Sequence, residues 1–397
     1  MSTKEKAAQA SAGQYEAAMR LTHEDMAEIK PCTTYVDAQT YLEPAVFAHE
    51  NKALFSNLPV PVAVSQDLPK AGSYMGVEVA GVPVILTRNR EGEVQALLNT
   101  CSHRGTRLVG NGECAEGMKL SCPYHAWTYN LDGKLIGVPR EDCFEAGFDK
   151  ADYHLGRVPC LEAGGLIWVS LDRTRELDLE RVGPELVGDF DAMGLSDMRV
   201  YKTQNYEIGA NWKLVTDAFL EGYHVTRLHA KTLARFFVDA PQMIERIGQH
   251  LRQTSGSRRG FGAEHVSRDW QKLRQSVVYA YIAFPSAIVV TSPVYVSVTL
   301  LMPTARDKTH ARYLMLVDKQ AEPSEKMEDI YARSFDLMAN AFGNEDFKAA
   351  ELSQEGLRTG ALKRLTLGGM EQGVRYFHDV IEELGADPAK GIEALES

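Results

Sequence analysis

Two short segments constrain this chain more than anything else in it. Cys101-Ser102-His103 and Cys122-Pro123-Tyr124-His125 each set a thiol just ahead of an imidazole, as C-x-H and C-x2-H, with 18 residues between the halves. Thiolates and imidazoles are metal ligands, so a fold that brings these two loops face to face acquires a metal site. Two Cys and two His also make up a structural zinc set. Zinc sites, however, usually pair Cys with Cys in one half and His with His in the other, whereas each half here carries one of each. The remaining cysteines (Cys32, Cys114, Cys143, Cys160) are too few for a disulfide framework in 397 residues and read as reduced thiols, with Cys114 a loop or core residue.

The mixed halves are the ligand set of a Rieske [2Fe-2S] centre, in which two histidines replace two cysteines on one of the irons. Their surroundings are short strands and glycine turns. Val82 to Arg88 and Val94 to Thr100 read as a hairpin, and Tyr124 to Tyr129 and Leu135 to Val138 flank an Asp132-Gly133 turn. The segments NTCSHRG and CPYHAWTYNLDGKL resemble the Rieske domain of the Rieske non-heme iron oxygenases, terminal α subunits of the aromatic-ring-hydroxylating type. That resemblance implies that Cys101 and Cys122 bind one iron of the cluster and His103 and His125 the other. Tyr124, Trp127 and Tyr129 read as core aromatics, and Arg104 as a neighbour of the cluster.

A Rieske centre moves one electron at a time, so a second site must use the electrons. His224 and His229 lie on a segment read as helix from Asn211 to about His229. Five residues separate them by about 140° on an ideal helix, so a shared metal requires the helix to be irregular between them, loosened after Gly222. Two His and one carboxylate form the ligand set of non-heme Fe(II) oxygenases. NWKLVTDAFLEGYHVTRLH resembles the catalytic-domain signature of the same family, which implies His224 and His229 as iron ligands. Glu221 takes the place of the acid linking the Rieske histidine to the iron, and Asp217 stands where many members have Asn. The acidic run from Asn344 to Leu357 resembles the family's C-terminal ligand helix, with Asp346 as the third ligand and Glu345 as its alternative. The other seven histidines, His378 among them, read as surface or core.

The expected fold class is α+β: a small all-β Rieske [2Fe-2S] domain plus a helix-grip catalytic domain, an antiparallel sheet with a long C-terminal helix. Its parts are an N-terminal helical arm over residues 1–40 packing on the catalytic domain, the Rieske domain over 41–157 and the catalytic domain over 158–397. Residues 4–30 read as helix, Ser255 to Gly262 as a mobile loop, and Ser276 to Val317 as three or four strands. Helices follow over Ser324 to Ala341, after Asn344, and over Met370 to Leu384, with Gly385 as a stop. Alternate residues of Val277 to Met302, including Tyr279, Tyr281 and Val290, read as sheet core.

The resemblance implies a terminal oxygenase. It would use O2, a Rieske cluster and a mononuclear Fe(II) to hydroxylate, dihydroxylate or demethylate an aromatic or other largely apolar small molecule, as in aromatic hydrocarbon catabolism. Electrons would pass through His125, Glu221 and His224. No G-x-G-x-x-G follows a strand and no ferredoxin C-x4-C-x2-C occurs, so NAD(P)H reaches the chain only through a separate reductase, with or without a ferredoxin. A homotrimer, or an assembly with a small β subunit, is the family expectation. A net charge of −11 without a basic block argues against nucleic acid. The N-terminus has no apolar leader or span, so no membrane and a cytoplasmic location are expected. A Rieske electron carrier would need only the first motif, and a carrier of apolar ligands would need neither.

Overall fold

The computed structural model describes residues 8–22, 31–257, 262–319 and 324–386, with the side chains of 237–241 left aside. The chain divides into two compact units, one of residues 55–182 and the other of residues 1–54 with 183–397. These limits differ from the expected breaks at 41 and 157. Beyond residue 157 the strands Cys160–Ala163 and Leu166–Val169 turn back, and the latter pairs with Val60–Val64, closing the small unit. Ahead of residue 55, Tyr41 and Glu50 are buried against the larger unit.

The small unit is all-β. The expected hairpin forms as Val82–Arg88 and Val94–Leu98, joined by Ser73–Val79, Cys114–Glu116 and Arg157–Val158 into a five-stranded sheet. A second three-stranded sheet, Lys119–Ser121, Thr128–Asn130 and Leu135–Gly137, holds the second Cys/His loop at its rim. The core between them contains Ile85, Leu97, Trp127, Tyr129 and the two thiols Cys101 and Cys122.

The larger unit is built on one seven-stranded antiparallel sheet. Its strands in chain order are β1 (Arg199–Ile208), β2 (Phe237–Ile247), β3 (His250–Ser257), β4 (Val277–Ala283), β5 (Ala287–Thr291), β6 (Val296–Ala305) and β7 (Lys308–Val317), arranged β1-β7-β6-β5-β4-β3-β2. The four strands from β4 to β7 match the expectation, whereas the β2–β3 hairpin was not foreseen. Ser255 to Ser257, expected in a mobile loop, end strand β3, and residues 258–261 lie outside the described residues. Among the described residues no helix is long and apolar enough to cross a membrane.

Helix α1 (Ala12–Leu21) is shorter than the helix expected over 4–30, whose ends lie outside the described residues. Ser11 starts it with a reciprocal capping box to Gln14. It is firmly seated: Ala17, Ala18 and Leu21 are buried, and Gln14 Nε2 donates to Tyr281 Oη at 3.0 Å. Helix α2 (Trp212–Asp217) begins at the Asn211 cap and stops far short of His229. Four residues, Val225–Leu228, form the single turn α3 between the two histidines. Helices α4 (Glu325–Ala341) and α5 (Phe347–Leu357) run on through a wide π turn at Phe342–Asp346. Helix α6 (Gln372–Ala386) is the last described element, with Gly385 inside its last turn rather than beyond it.

One buried ion pair anchors α2. The Lys213 ammonium donates to both Glu50 oxygens, at 2.8 and 2.6 Å, and the Trp212 indole donates to the same carboxylate at 3.2 Å. Lys213 is fully buried and Glu50 nearly so. Burial pulls the lysine pKa down against the opposing pull of Glu50. Replacing Glu50 by Ala strands a buried cation, so Glu50→Ala should destabilise the fold by about 3–5 kcal/mol. Urea unfolding midpoints check this; a loss under about 1 kcal/mol would mean that the pair does not anchor the helix.

Candidate active site

In the small unit the two Cys/His loops are the same turn built twice. Cys101 N–H donates to Thr106 O at 2.9 Å while Gly105 N–H donates to Cys101 O at 2.9 Å. Cys122 N–H donates to Trp127 O at 2.8 Å while Ala126 N–H donates to Cys122 O at 2.9 Å. The residue four past each cysteine is left-handed, Gly105 at φ 77° and Ala126 at φ 57°. The one-residue difference in histidine spacing is thus absorbed inside a common turn. The thiols are buried and the imidazole rings meet edge-on, with centroids 4.7 Å apart.

These four side chains do not converge on a single point. Among the described residues the one group of three or more His, Cys, Asp or Glu whose ligand atoms all lie within 4.8 Å of one another is elsewhere. The lack of one common point disfavours a single zinc ion, whereas a two-iron cluster takes its ligands as two separate pairs. His103 Nδ1 is buried and makes no hydrogen bond, as a nitrogen kept for a metal would be. Burial, with His125 and Arg104 nearby, pushes the His103 pKa down and favours the neutral imidazole. Trp127 stacks on His103 at 4.8 Å, and Tyr129 Oη lies 3.3 Å from Cys101 Sγ while accepting from Ser102 N–H. Both are core residues, as expected. Tyr124 is not: it is 57% exposed, set against His125 and under the Arg104 guanidinium. Cys114 lies exposed on a strand.

In the larger unit His224, His229 and Asp346 form the group within 4.8 Å and could hold a metal ion. The break in the helix falls before His224, not between the histidines. They cap the two ends of α3, which turns both rings toward one point, with centroids 5.2 Å apart. The π turn carries Asp346 inward, its Oδ1 3.1 Å from His229 Nε2 and 3.6 Å from His224 Nε2. This oxygen is buried and makes no hydrogen bond. Such a buried acceptor facing two nitrogens is the donor set of a facial triad.

Both remaining ring nitrogens are held by carboxylates. His224 Nδ1 lies 2.5 Å from Glu221 Oε1, and Glu221 Oε2 also accepts the His224 backbone N–H at 3.0 Å. His229 Nδ1 lies 2.5 Å from Glu345 Oε2, which accepts a further hydrogen bond from Thr232 Oγ1 at 2.6 Å. A carboxylate on each Nδ1–H fixes the tautomer that leaves Nε2 free to bind metal. Glu345 therefore bonds the outer nitrogen of His229, and Asp346 is the residue that faces the Nε2 atoms. Asp217 does not reach this group: its carboxylate accepts from Tyr41 Oη at 2.7 Å and lies 3.4 Å from His378 Nε2.

A cavity of about 100 Å³ opens onto the triad. Phe219, Leu233 and Phe342 are among its apolar walls, and Gln242, Gln253 and Ser255 form a polar one. Of the strand residues expected as sheet core, Val290 faces the cavity, whereas Tyr279 and Tyr281 point to the other side, against α1. Their neighbours Val278 and Ala280 line the cavity instead.

Residues 59–161 match the family model of the Rieske [2Fe-2S] domain, and residues 195–386 match that of the ring-hydroxylating α subunit catalytic domain. The chain belongs to the Rieske oxygenase α subunits.

Relatives of this α subunit include the glycine betaine monooxygenase oxygenase subunit of Chromohalobacter salexigens, 32% identical over 201 residues. That match covers 49% of this chain and 42% of the relative, so it spans under half the relative's length. The carnitine monooxygenase oxygenase subunit of Escherichia coli K12 is 24% identical, over 89% of this chain and 94% of its own. Among solved structures, naphthalene 1,2-dioxygenase from Rhodococcus sp. shares the fold with a TM-score of 0.75 at 20% identity, covering 94% of this chain and 97% of that one.

The motifs brought together the residues expected of them, while the supporting shell went unseen. Nothing in the sequence marks Tyr41 and His378 as partners of Asp217, because they lie 337 positions apart. The polar cavity wall belongs to the unforeseen β2–β3 hairpin.

Two outcomes follow for this α subunit. Burial opposes protonation of His229, but Asp346 and Glu345 outweigh it and raise its pKa. In the metal-free chain that proton stabilises the fold at acid pH, a contribution lost as pH rises through the raised pKa; a metal must displace the same proton. Iron retention against a chelator should therefore fail on acidification at a higher pH than an ordinary imidazole would give, and Glu345→Gln should weaken retention roughly 10–100-fold. Retention independent of pH between 8 and 6 contradicts this. Ala126 holds a left-handed conformation at φ 57°, so Ala126→Gly should stabilise the small unit by about 1 kcal/mol, read as a raised melting temperature.

Proposed function

We propose that this α subunit is the terminal oxygenase of a multicomponent system, acting on a small, largely apolar molecule. Supplied with two electrons by a separate reductase, directly or through a ferredoxin, it inserts one oxygen atom: R–H + O2 + 2e− + 2H+ → R–OH + H2O. The same site would serve dihydroxylation, or demethylation where the hydroxylated carbon is a methyl on nitrogen or oxygen. The observation that carries this reading is the coexistence in one chain of two donor sets of different chemistry, the Cys/His quartet and the His/His/Asp triad.

Cys101 and Cys122 would hold one cluster iron and His103 and His125 the other, while His224, His229 and Asp346 would hold Fe(II). The two metal groups supply single-electron transfer and O2 activation. The protein's own residues do the rest. Glu221 and Glu345 keep the Nδ1 protons of His224 and His229, so that neither ring rotates or changes tautomer between turnovers. Glu221, bonded to His224, is also suited to link that ring to the cluster's His125. The apolar cavity walls exclude water from the reacting carbon. In the family the donor cluster and acceptor iron often belong to adjacent subunits, so a homotrimer is the assembly proposed. Aromatic compounds and quaternary ammonium compounds are both within the reach of this chemistry, and a cytoplasmic location is part of the same reading.

Metal and sulfide analysis tests the proposal. The purified chain should contain about three Fe and two acid-labile sulfides, against two Fe for an electron carrier and none for a ligand carrier. His224→Ala should remove one Fe and all turnover while the Rieske absorption persists; loss of the cluster signal in that variant would defeat the two-site assignment. Turnover with NADH and no reductase would defeat the partner requirement.

A further inference from the structure

The cavity over the triad has one wall unlike the rest. On β3, Gln253 and Ser255 are two residues apart and so share a face, and that face looks into the cavity. Ser255 pairs across the ladder with Gln242 on β2, which also lines the cavity, so three polar side chains form a contiguous strip. Gln242 is held from behind: its Nε2 donates to Met370 O at 3.0 Å, and its Oε1 occupies the space beside Gly222 that a Cβ there would take. The side chains of Gln253 and Ser255, by contrast, make no hydrogen bond among the described residues.

Their neighbours give no internal reason for this polarity. The residues facing them across the ladder, Ala280 and Val278, are apolar, so the strip does not continue a polar network of the sheet. The charged carboxylates at the cavity, Glu221 and Asp346, are both committed to the histidines, and no Lys or Arg is among its described lining residues. Unpartnered amide and hydroxyl groups in an otherwise apolar cavity are how a binding site orients one polar substituent.

We infer that Gln253 and Ser255 are specificity-determining residues that hydrogen-bond a neutral hydroxyl or carboxamide on the substrate, while the apolar remainder lies toward His224, His229 and Asp346. The substrate class is a small molecule without an anionic group, on the scale of a single ring, with one such polar group at the end away from the oxidised carbon. Gln253 offers both donor and acceptor and Ser255 does the same, which suits a group that needs both. A carboxylate would find no counter-charge on this wall, and a hydrocarbon would leave both side chains desolvated and unpaired. This inference rests on reading the triad as the reacting end of the cavity.

Phenol and toluene, matched in size and differing in the hydroxyl, are the probes. Binding of each to the iron- and cluster-loaded chain is measured by titration calorimetry, with benzoate as the anionic control and iron content determined on the same sample. Phenol should bind at least about tenfold more tightly than toluene or benzoate. Gln253→Leu should abolish that preference by weakening phenol while leaving toluene unchanged or improved, and Ser255→Ala should reduce it in part. Equal binding of phenol and toluene, binding of neither, or a preference untouched by both variants overturns the inference. The serine variant, which removes a single oxygen, keeps the test decisive should Gln253→Leu not fold. Iron absent from a sample that still prefers phenol counts against the oxygenase reading alone; full iron with no preference counts against the polar wall alone.

Discussion

An imidazole offers a metal one nitrogen only if the other is already committed, and the larger unit is organised around that requirement. His224 and His229 must present Nε2 to the same point, so each Nδ1 needs an acceptor in a fixed place. Glu221 supplies one from within the same loop. Glu345 supplies the other from a distant helix, and it does so because the turn at Phe342–Asp346 is wider than an α turn. In that turn consecutive acids, Glu345 and Asp346, reach two different nitrogens of the same ring, one at Nδ1 and one at Nε2. The π turn adds a residue to the helical turn, which shifts the register of α5 against α4, and both acids lie in it. The π turn is therefore part of the site rather than an irregularity of the helix.

What lies behind the site is rigid for the same reason. Helix α2 stops at Asp217, and from there the chain enters the loop that carries Glu221 and His224. Both ends of α2 are tied to buried groups: Lys213 to Glu50 at its start, and Asp217 to Tyr41 and His378 at its end. Tyr41 Oη also lies 2.9 Å from His378 Nε2. Burial, followed by the charge of Asp217, pushes the Tyr41 pKa well up, so the phenol keeps its proton and can donate it. A short helix has little stability of its own. Fastened at both ends by polar groups withdrawn from solvent, it gives the following loop a fixed origin.

The sequence carried the chemistry of the sites more plainly than their construction. Cys101, His103, Cys122 and His125 are readable because ligand type and spacing are local properties, and the family resemblance extends that reading to His224, His229 and Asp346. The helix assumed through His229 was the natural reading of its composition, yet the angle between the histidines already required a break. The structure places that break ahead of His224, so that the two rings flank a single turn. Hairpin β2–β3 escaped notice because its residues do not alternate cleanly: polar Gln253 and Ser255 occupy positions facing inward, where a half-buried strand would carry apolar side chains. Tyr279 and Tyr281, expected as sheet core, are fully buried on the face turned to α1, and the opposite face of their strand lines the cavity.

That failure of pattern is itself informative. Local rules fail most often where function overrides them, because a site needs residues that a core would exclude. In β3 neither face follows apolar alternation: Gln253 and Ser255 lie on the cavity face next to the triad, and buried Arg252 and Thr254 lie on the other. There Arg252 points away from the cavity, and its guanidinium bonds Asp189 at 2.6 Å and Glu245 at 2.7 Å. Burial works against that cation, and the carboxylates around it hold it charged. On the structural side of the strand Arg252 is thus paired and the Thr254 hydroxyl is buried without a partner, while on the cavity side Gln253 and Ser255 line the space over the triad. Desolvating a polar group without a partner costs about 1–3 kcal/mol, so a ligand that enters over the cavity face is favoured when it pairs the Gln253 and Ser255 side chains.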